Sequence, residues 1–470
     1  MGGSELCRNR DERTEGNSKA VGVIGLGHVG LVSACCFAAL GHHVIGVDAD
    51  REKLRRLERG FCPFYEPGLE DLLREGIASG ALELTEDAGD AARACEVLFI
   101  CVGTPLGSDG RADLLQIERL AAQIAPHLES YKVVVEKSTV PVHTGKRLVE
   151  TLARYGAHDF DVVSNPEFLR EGRAVEDTLR PDRVVVGSDS ERATRSVLEV
   201  LHPVISATGC PVVVTDLTTA ELLKHASNAF LAMKISFINA VAEVCEAAGA
   251  DVDTVADGMG LDPRIGREFL GAGIGYGGAC FPKDIAAFEA MASEIGVSLP
   301  ILEQVREINE RAARRLVDRL RDELWHLQGK RLAALGLSFK AGTDDIRESP
   351  AIKVIRMLLM EGAEVVAYDP EAMPAAKESL PRVHLAPSAL DAAKDADALL
   401  LLTDWDEFRR LDPRDLRAAL RFAIVADGRN LFDPAAMAAA GLTYISVGRP
   451  VVRPQKEPPG EGRRRARGRG

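Results

Sequence analysis

The residues between Ala20 and Asp48 constrain the fold of this 470-residue chain more than any other segment. A short apolar run, VGVIG, is followed by a glycine-rich turn, a helical stretch ending near Gly41 and a second apolar run, HVIGVD. This order predicts a strand–turn–helix–strand unit, the building block of a parallel sheet. The turn itself reads GLGHVG, which is the GxGxxG pattern placed after a strand and before a helix.

This turn predicts a dinucleotide site. Its first glycine permits the tight turn, its second lets the main chain approach a pyrophosphate, and its third lets the helix pack on the strand. Asp48 follows the last glycine at about the usual spacing of 20 residues, where a carboxylate binds ribose hydroxyls and disfavours a 2′-phosphate. We therefore expect NAD, although the nearby cations Arg51 and Lys53 favour NADP. A glycine turn without a ligand is the alternative.

The remaining chain continues the alternation of strands and helices. Apolar strand patterns recur at residues 97–103, 133–138, 161–166 and 183–188. From Thr215 to about Gly249 only helical periodicity is found, without proline or an internal glycine, and further helices are predicted over 284–296 and 300–326. A second strand–loop–helix–strand unit begins at Arg331, without the three-glycine pattern.

These patterns predict an α/β fold with two Rossmann-like, doubly wound domains joined by a long central helix and a helical dimerisation region. The expected division is a disordered leader (1–19), an NAD-binding domain (20–213), a central helical domain (214–326), a second, C-terminal Rossmann-like domain (327–450) and a disordered, arginine-rich tail (451–470).

Charge and cysteine usage restrict the class of protein. The net charge of −13 argues against nucleic acid or an anionic membrane as a partner. The nine cysteines include no CxxC pair, which argues against a zinc site or a disulfide scaffold and favours a reducing compartment. No signal-peptide pattern is found in the polar first residues, so a cytoplasmic protein is expected.

The segment GAGIGYGGACFPKD, residues 271–284, favours a reactive cysteine. So many glycines suit close approach of the main chain to a ligand. Cys280 lies just before a predicted helix that begins near Pro282, and Lys283 is beside it. Both features are expected to lower the pKa of the thiol. A buried, inert cysteine is the alternative.

Two further pairs of polar residues are candidates for the same site. Lys224 and Asn228 are four residues apart on the long helix, so they share one face, and their apolar neighbours predict that this face is buried. A buried lysine needs a partner, such as a developing alkoxide, although a surface lysine remains possible. Glu167 and Glu171 are also four residues apart and have a solvated acidic turn as their alternative interpretation.

Taken together, these segments resemble the UDP-glucose/GDP-mannose dehydrogenase family over about residues 20 to 450. The resemblance is carried by VGVIGLGHVG, VGTPLGSDGRAD, EKSTVPVHTG, NPEFLREG, PDRVVVG, AELLKHASNAF, GIGYGGACFPKD, GLSFKAGTDDIRESP and DGRN, in this order. It implies oxidation of a primary alcohol on a nucleotide-sugar to a carboxylate with two NAD, through a thiohemiacetal and a thioester on Cys280.

The resemblance also implies roles for individual residues. Catalytic roles are implied for Cys280, Lys224, Asn228, Asp284, Thr139, Glu167 and Glu171. Cofactor contacts are implied for Gly25, Leu26, Gly27, His28, Val29, Gly30, Asp48, Lys53, Thr104, Thr139, Glu171, Lys283 and Arg347. Substrate contacts are implied for Phe168, Leu169, Arg170, Glu171, Lys224, Asn228, Arg264, Phe269, Leu270, Gly271, Ala272, Gly273, Gly277, Phe339, Lys340 and Arg429.

Several alternatives remain open within and outside the family. The FLREG and PDRVVVG segments favour UDP-glucose as the substrate, with GDP-mannose and UDP-N-acetyl-hexosamine as alternatives. Members of the family are at least dimers, and Arg264 matches a residue that reaches a neighbour's substrate, so a homodimer or higher oligomer is expected. A one-step hydroxyacid dehydrogenase or an NAD-sensing protein would share the glycine turn but would have no use for Cys280.

Overall fold

The computed structural model describes residues 18–107 and 110–454, which form two compact units. The first unit contains residues up to Leu231 together with Ala279–Glu303, and the second contains Ala232–Gly278 and the residues from Gln304 onwards. Most of the predicted leader and tail lies outside the described residues, and the three-domain boundaries stay a prediction.

The first unit is built on one sheet with the strand order β3-β2-β1-β4-β5-β6-β7-β8. Its described strands are β1 (Ala20–Ile24), β2 (His43–Val47), β3 (Leu82–Thr85), β4 (Val97–Ile100), β5 (Lys132–Glu136), β6 (Phe160–Ser164), β7 (Val184–Gly187) and β8 (Val212–Thr215). The strand order reverses direction between β1 and β4, which is where an open α/β sheet binds its ligand.

Helices follow most of these strands. They are α1 (His28–Ala39), α2 (Arg51–Glu58), α3 (Leu69–Ala78), α4 (Ala88–Ala94), α5 (Leu115–Ile124), a 3₁₀ turn (Ala125–His127), α6 (Thr144–Arg154), α7 (Ala174–Leu179), α8 (Glu191–Thr208) and the long α9 (Leu217–Ala248). Then come α10 (Val252–Gly260), α11 (Phe281–Glu294) and α12 (Pro300–Leu324).

The second unit contains a sheet of the same plan, ordered β11-β10-β9-β12-β13-β14. Its strands are β9 (Arg331–Leu335), β10 (Glu364–Tyr368), β11 (His384–Leu385), β12 (Ala398–Leu401), β13 (Ile424–Asp427) and β14 (Thr443–Ser446). Its remaining helices are α13 (Pro350–Met360), α14 (Met373–Ser379), α15 (Ala389–Ala393), α16 (Asp406–Arg409), α17 (Pro413–Ala419) and α18 (Pro434–Ala439).

The predicted fold class is confirmed: an α/β protein with two parallel-sheet domains. One pairing differs from a purely parallel sheet, because β6 and β7 meet in an antiparallel bridge between Ser164 and Gly187. Both faces of the first sheet are covered, as parallel sheets require: Val21 and Val23 of β1 point into one apolar cluster and Ile24 into another.

The long helix α9 is the one described helix whose length and composition would allow it to cross a membrane. A core helix of a soluble protein meets the same criteria. In α9, the polar side chains of Glu221, Lys224, His225 and Asn228 are buried and hydrogen-bonded within the first unit.

A buried carboxyl group ends the strand β5. Glu136 is almost wholly inaccessible to solvent, and neither of its carboxyl oxygens has a hydrogen-bond partner among the described residues. Burial, together with the negative charge of Glu221, raises the pKa of Glu136 well above its usual range. The folded protein therefore favours the protonated form of this side chain more strongly than the unfolded chain does.

This difference predicts a pH-dependent effect of Glu136→Gln on stability. A raised carboxyl pKa makes the folded state bind more protons, so the wild type loses stability as pH rises above the unfolded pKa. Glutamine has no such linkage. The free energy of unfolding of Glu136→Gln, relative to wild type, should therefore rise by up to about 1.4 kcal/mol per pH unit between about pH 5 and 7. Urea denaturation at several pH values measures it, and a difference that does not change with pH would contradict the assignment.

Candidate active site

The glycine turn between β1 and α1 has the geometry of a nucleotide-binding loop. Gly25 has a φ of +95°, and a Cβ there would lie 2.8 Å from the carbonyl oxygen of Cys101. A Cβ at Gly30 would collide with the carbonyl oxygen of Gly25. At Gly27, by contrast, no atom lies within 4 Å of an added Cβ, and no side chain caps α1. The first and third glycines thus serve packing, and the second leaves space for a phosphate at the helix N-terminus.

Asp48, just after β2, is attached to this turn. Its Oδ2 accepts a hydrogen bond from the Leu26 amide at 2.9 Å and forms an ion pair with Lys53 at 2.7 Å. Its Oδ1 accepts a hydrogen bond from the Asp50 amide. The side chain of Asp48 keeps 11% of its surface exposed. Its position fits the expected contact with ribose hydroxyls. Lys53 is paired with Asp48, so its charge is not directed at a 2′-phosphate.

His28 and Val29 begin α1, and His28 is held by residues outside the turn. Its Nε2 lies 3.0 Å from Glu66, and its ring stacks on Phe64 with 4.1 Å between centroids. The buried carboxylate of Glu66 also accepts hydrogen bonds from the amides of Gly172 and Ala174. Glu66 therefore joins the dinucleotide turn to the segment that follows Glu171, and no local sequence pattern revealed it.

The candidate catalytic residues of the first unit converge on one face of α9. Lys224 Nζ donates to Glu167 Oε1 at 2.9 Å, and both side chains are almost fully buried. One turn further along, Asn228 Nδ2 donates to Asp284 Oδ2 at 2.6 Å. Asp284 lies in the first turn of α11, four residues after Cys280, which is the N-cap of that helix. The predicted burial of this face of α9 is correct.

Two threonines and a lysine adjoin this group. The Thr104 hydroxyl donates to the carbonyl oxygen of Thr139 at 2.8 Å, and Lys283 Nζ donates to the Thr104 hydroxyl at 3.2 Å. Lys283 Nζ also lies 3.5 Å from Asp284. The segment after β4, the segment after β5 and the start of α11 are thereby joined.

The residues after Glu167 are arranged by side-chain contacts as well. Glu167 Oε2 accepts from the Leu169 amide at 2.7 Å. The guanidinium of Arg183 lies 3.7 Å above the ring of Phe168, and Lys224 lies 5.3 Å from the same ring. Arg170 forms a two-point pair with Asp177.

The other predicted substrate contacts lie in the second unit, around the glycine segment. Arg429 is partly buried and donates to the carbonyl oxygens of Leu402, Gly275 and Phe339. Lys340 lies 5.6 Å from the ring of Phe339. Leu270 and Ala272 are buried, and Phe269 adopts a left-handed conformation with a φ of 65°.

The glycines of this segment also have a packing role, and the predicted close approach of their main chain to a ligand stays a prediction. A Cβ at Gly273 would lie 2.7 Å from the carbonyl oxygen of Gly428, and one at Gly277 would lie 2.3 Å from that of Glu348. A Cβ at Gly278 would meet the ring of Phe339. These glycines are required by packing within the second unit, whereas Gly271 has open space beside it.

Arg264 and Arg347 both lie in the second unit and are paired with neighbouring carboxylates. Arg264 is highly exposed and forms a two-point pair with Asp262, two residues earlier in the chain. Arg347 does the same with Asp345. The two residues therefore present their guanidinium groups at the surface of their own unit.

Comparisons with known proteins identify the chain. The UDP-glucose/GDP-mannose dehydrogenase family models match over most of its length: the NAD binding domain at residues 19–205, the central domain at 218–311 and the UDP binding domain at 333–434. The UDP-glucose 6-dehydrogenase TuaD of Bacillus subtilis is 47% identical over 93% of this chain and 94% of its own. The chain belongs to the UDP-glucose/GDP-mannose dehydrogenase family.

Solved structures of this family have the same fold. A UDP-glucose dehydrogenase from Pyrobaculum islandicum matches with a TM-score of 0.86 and 38% identity, over 93% of this chain and 99% of its own. A UDP-D-ManNAc dehydrogenase from Pyrococcus horikoshii matches with a TM-score of 0.80 and 28% identity, over 92% and 99%. Membership makes the chain an NAD-dependent oxidoreductase of nucleotide-sugars.

The charges around the candidate nucleophile of this family member differ from the sequence expectation. Part of Cys280 is exposed to solvent, but the thiol lies among many protein atoms and is partly desolvated. This burial raises the pKa of the Cys280 thiol to about 12, and the carboxylates Glu167, Asp284 and Glu171 add to the rise, against the opposing effect of Lys224. The predicted net lowering of this pKa is therefore wrong for the free protein.

In the ion pair beside the thiol, unlike in Cys280, the pKa shifts favour the charged forms of both side chains. Burial alone lowers the pKa of Lys224, but attraction to Glu167, Asp284 and Cys280 outweighs it, so the pKa of Lys224 is raised. Burial likewise raises the pKa of Glu167, and Lys224 more than compensates, so the pKa of Glu167 is lowered. The site thus holds a charged lysine beside a neutral thiol.

The neutral thiol gives a testable prediction about alkylation. Only the thiolate reacts rapidly with iodoacetamide. With a pKa of about 12, modification of Cys280 should accelerate about tenfold per pH unit between about pH 7 and 10. Asp284→Asn should react faster than wild type at a given pH, because a negative neighbour is gone. Mass spectrometry of the Cys280 peptide measures the rate.

The matched control is Glu294→Gln, which removes a carboxylate at the far, exposed end of the same helix and should not change the rate. A wild-type rate that reaches a plateau below about pH 9 would show that the thiolate forms readily and would overturn this assignment.

Proposed function

We propose that the protein is a UDP-glucose 6-dehydrogenase, which oxidises UDP-glucose to UDP-glucuronate with two NAD. The observation that carries the proposal is the convergence of the buried Lys224 and Asn228 with Asp284, in the turn of helix that follows Cys280. The 47% identity to the Bacillus subtilis enzyme, against 28% to the UDP-D-ManNAc dehydrogenase, favours UDP-glucose among the substrates of the family.

The residues of the glycine turn fit NAD. The open position at Gly27 and the uncapped start of α1 suit a pyrophosphate, and the partly exposed Asp48 suits a ribose. The proposed contacts within the first unit are completed by Thr104, Thr139, Glu171 and Lys283. When bound, NAD supplies the hydride acceptor for each of the two oxidations.

Cys280 explains how one carbon is oxidised twice. The first oxidation converts the primary alcohol of the sugar to an aldehyde, the hydride passing to the nicotinamide and the hydroxyl proton to water. Addition of the Cys280 sulfur to the aldehyde carbon forms a C–S bond, and the thiol proton leaves to water held near Asp284 and Thr139. Loss of a second hydride gives a thioester, and attack by water breaks the C–S bond to release the carboxylate and restore the thiol.

Lys224 and Asn228 are the proposed donors to the oxygen of the aldehyde-derived carbon. Both carry N–H groups on one buried face, where a hydrogen bond to an oxyanion is worth more than in water. In the free protein these donors are paired with Glu167 and Asp284. The carboxylates hold the donors in place, and Glu167, Phe168, Leu169, Arg170 and Glu171 are proposed to lie along the sugar.

NADH formation with a panel of nucleotide-sugars tests the function. We expect turnover of UDP-glucose with two NADH formed per sugar, and little with GDP-mannose, UDP-N-acetylglucosamine or UDP-N-acetylmannosamine. Cys280→Ser should reduce turnover by at least about 10³-fold while NAD still binds. Cys210→Ser, at a partly exposed cysteine of the same unit, is the control and should retain activity.

Two results would contradict the proposal. Preference for another nucleotide-sugar would change the substrate, and near-normal double oxidation by Cys280→Ser would remove the covalent route.

We also propose that the protein is a cytoplasmic homodimer that pairs along α9. The eight described cysteines are all unpaired, which fits a reducing compartment. On α9, apolar side chains at Leu222, Phe230, Phe237 and Val244 are exposed, and the last three recur every seven residues on one face. An exposed apolar stripe of this kind fits a second copy of the helix.

Phe237→Glu is expected to shift the protein from dimer to monomer in sedimentation velocity, because a carboxylate cannot be buried unpaired in an apolar interface. Met360→Glu is the control, since Met360 is even more exposed but ends α13. A wild-type monomer, or a Phe237→Glu dimer of unchanged affinity, would contradict the proposed interface.

A further inference from the structure

The buried polar face of α9 contains one carboxylate that the proposed chemistry does not use. Glu221 lies one turn before Lys224 and His225, and only 2% of its surface is exposed. Its two carboxyl oxygens accept hydrogen bonds from two main-chain amides, those of His143 at 2.6 Å and Gly145 at 2.7 Å. Both contacts are 76 or more residues away in sequence.

These two amides begin α6. His143 is the N-cap residue of α6, yet its own side chain makes no capping hydrogen bond, and its φ of 71° is left-handed. Such a conformation is unfavourable for a residue other than glycine unless the surroundings stabilise it. Glu221 supplies the acceptors that a capping side chain would normally provide, and its negative charge is favourable at a helix N-terminus.

The segment between β5 and α6 carries Thr139, one of the proposed catalytic residues. The carbonyl oxygen of Thr139 accepts from the Thr104 hydroxyl, and the next carbonyl, that of Val140, lies 2.7 Å from His225 Nε2. Glu221 and His225 are four residues apart on α9 and therefore hold the same segment from one helix face. The helix that bears Lys224 and Asn228 thus also fixes the position of Thr139.

We propose that Glu221 is a positioning residue that holds the segment from Ser138 to Gly145, and with it Thr139, in the arrangement the dehydrogenase needs, and that it does so only as a carboxylate. The inference rests on the proposed function for its catalytic consequence. Its structural consequence, the order of the main chain at His143 and Gly145, is independent of that function.

Protonation of Glu221 changes the hydrogen bonds that its carboxyl group can make to the start of α6. Burial raises the pKa of Glu221 to about 7, against the opposing effects of the Gly145 and His143 amides and of Lys146. Asp216 raises it further, and Glu136 of β5 is the other carboxyl group that interacts with it. Above about pH 7 both oxygens accept hydrogen bonds; below it, one oxygen carries a proton that faces an amide.

The direction of the linkage separates positioning from overall stability. Because the folded pKa of Glu221 is raised, the folded state favours its neutral form, and acidification through pH 7 does not unfold the protein through this group. The expected effect of acid is a local loss of hydrogen bonds at the start of α6. Activity should therefore fall as the pH drops through about 7, while global stability does not fall with it.

Glu221→Gln tests the proposal with two readouts. Hydrogen exchange of the peptide covering residues 138–148 should be at least about tenfold faster in the variant than in wild type at about pH 8. The kcat/KM for UDP-glucose should be about 10- to 100-fold lower at the same pH. The acid limb near pH 7 in the wild-type profile should be absent from the variant, whereas Glu221→Asp, which keeps the charge, should retain such a limb.

Glu150→Gln makes the same substitution at an exposed position of α6 and is the matched control, expected to behave as wild type. A Glu221→Gln variant with wild-type exchange, or with an unchanged acid limb, would overturn the inference. A wild type without activity on any sugar would defeat the proposed function alone, since the exchange measurement still decides whether Glu221 orders the segment.

Discussion

The buried ion pair between Lys224 and Glu167 is the interaction on which the candidate site depends. It joins α9 to the segment after β6 in a region with almost no access to water. Removing either partner would leave an uncompensated charge in the interior, which costs about 3–5 kcal/mol. The pair therefore fixes the position of a lysine that would otherwise be unstable in this core. Asn228 lies one helical turn further along the same face of α9, where it donates to Asp284.

Burial and the surrounding charges, those of this ion pair among them, determine the state of the thiol. Cys280 lies among three carboxylates and one ammonium group, so a thiolate would add a further negative charge to a site that is already negative. A helix N-terminus and a nearby lysine favour a thiolate in isolation, whereas burial, Glu167, Asp284 and Glu171 raise the pKa of this thiol. In the proposed mechanism the thiol proton leaves as the sulfur adds to the aldehyde, and the negative charge passes to an oxygen beside Lys224 and Asn228. A free thiolate is not needed before that step.

The features that the sequence predicts well are those set by local geometry. The glycine turn, its strand and its helix lie within thirty residues, and α9 is predicted to within about two residues at each end. The strands β3, β8, β11 and β14 escape prediction because all four lie at sheet edges, where a strand is less buried and its apolar pattern is weaker; in β8, Val213 and Val214 are exposed. Glu66 and Glu221 escape it for another reason: their partners lie more than 70 residues away for Glu221 and more than 100 for the amides bound by Glu66. A single sequence contains no pattern that joins such distant residues.

The two sheets show how one topology serves two binding tasks. Asp48 after β2 and Asp369 after β10 occupy equivalent places, and each accepts a hydrogen bond from the amide of a leucine in the turn after the first strand, Leu26 or Leu337. Each aspartate also accepts a hydrogen bond from the amide two residues after it in the chain, that of Asp50 or Glu371. Asp369, however, is completely buried, and its carboxylate also accepts hydrogen bonds from the indole of Trp405 and the amide of Ser338. Asp48 keeps part of its surface open, so only the first sheet offers a carboxylate to a ribose. In the second sheet the equivalent acid stabilises the turn through these hydrogen bonds and has no surface left for a ligand.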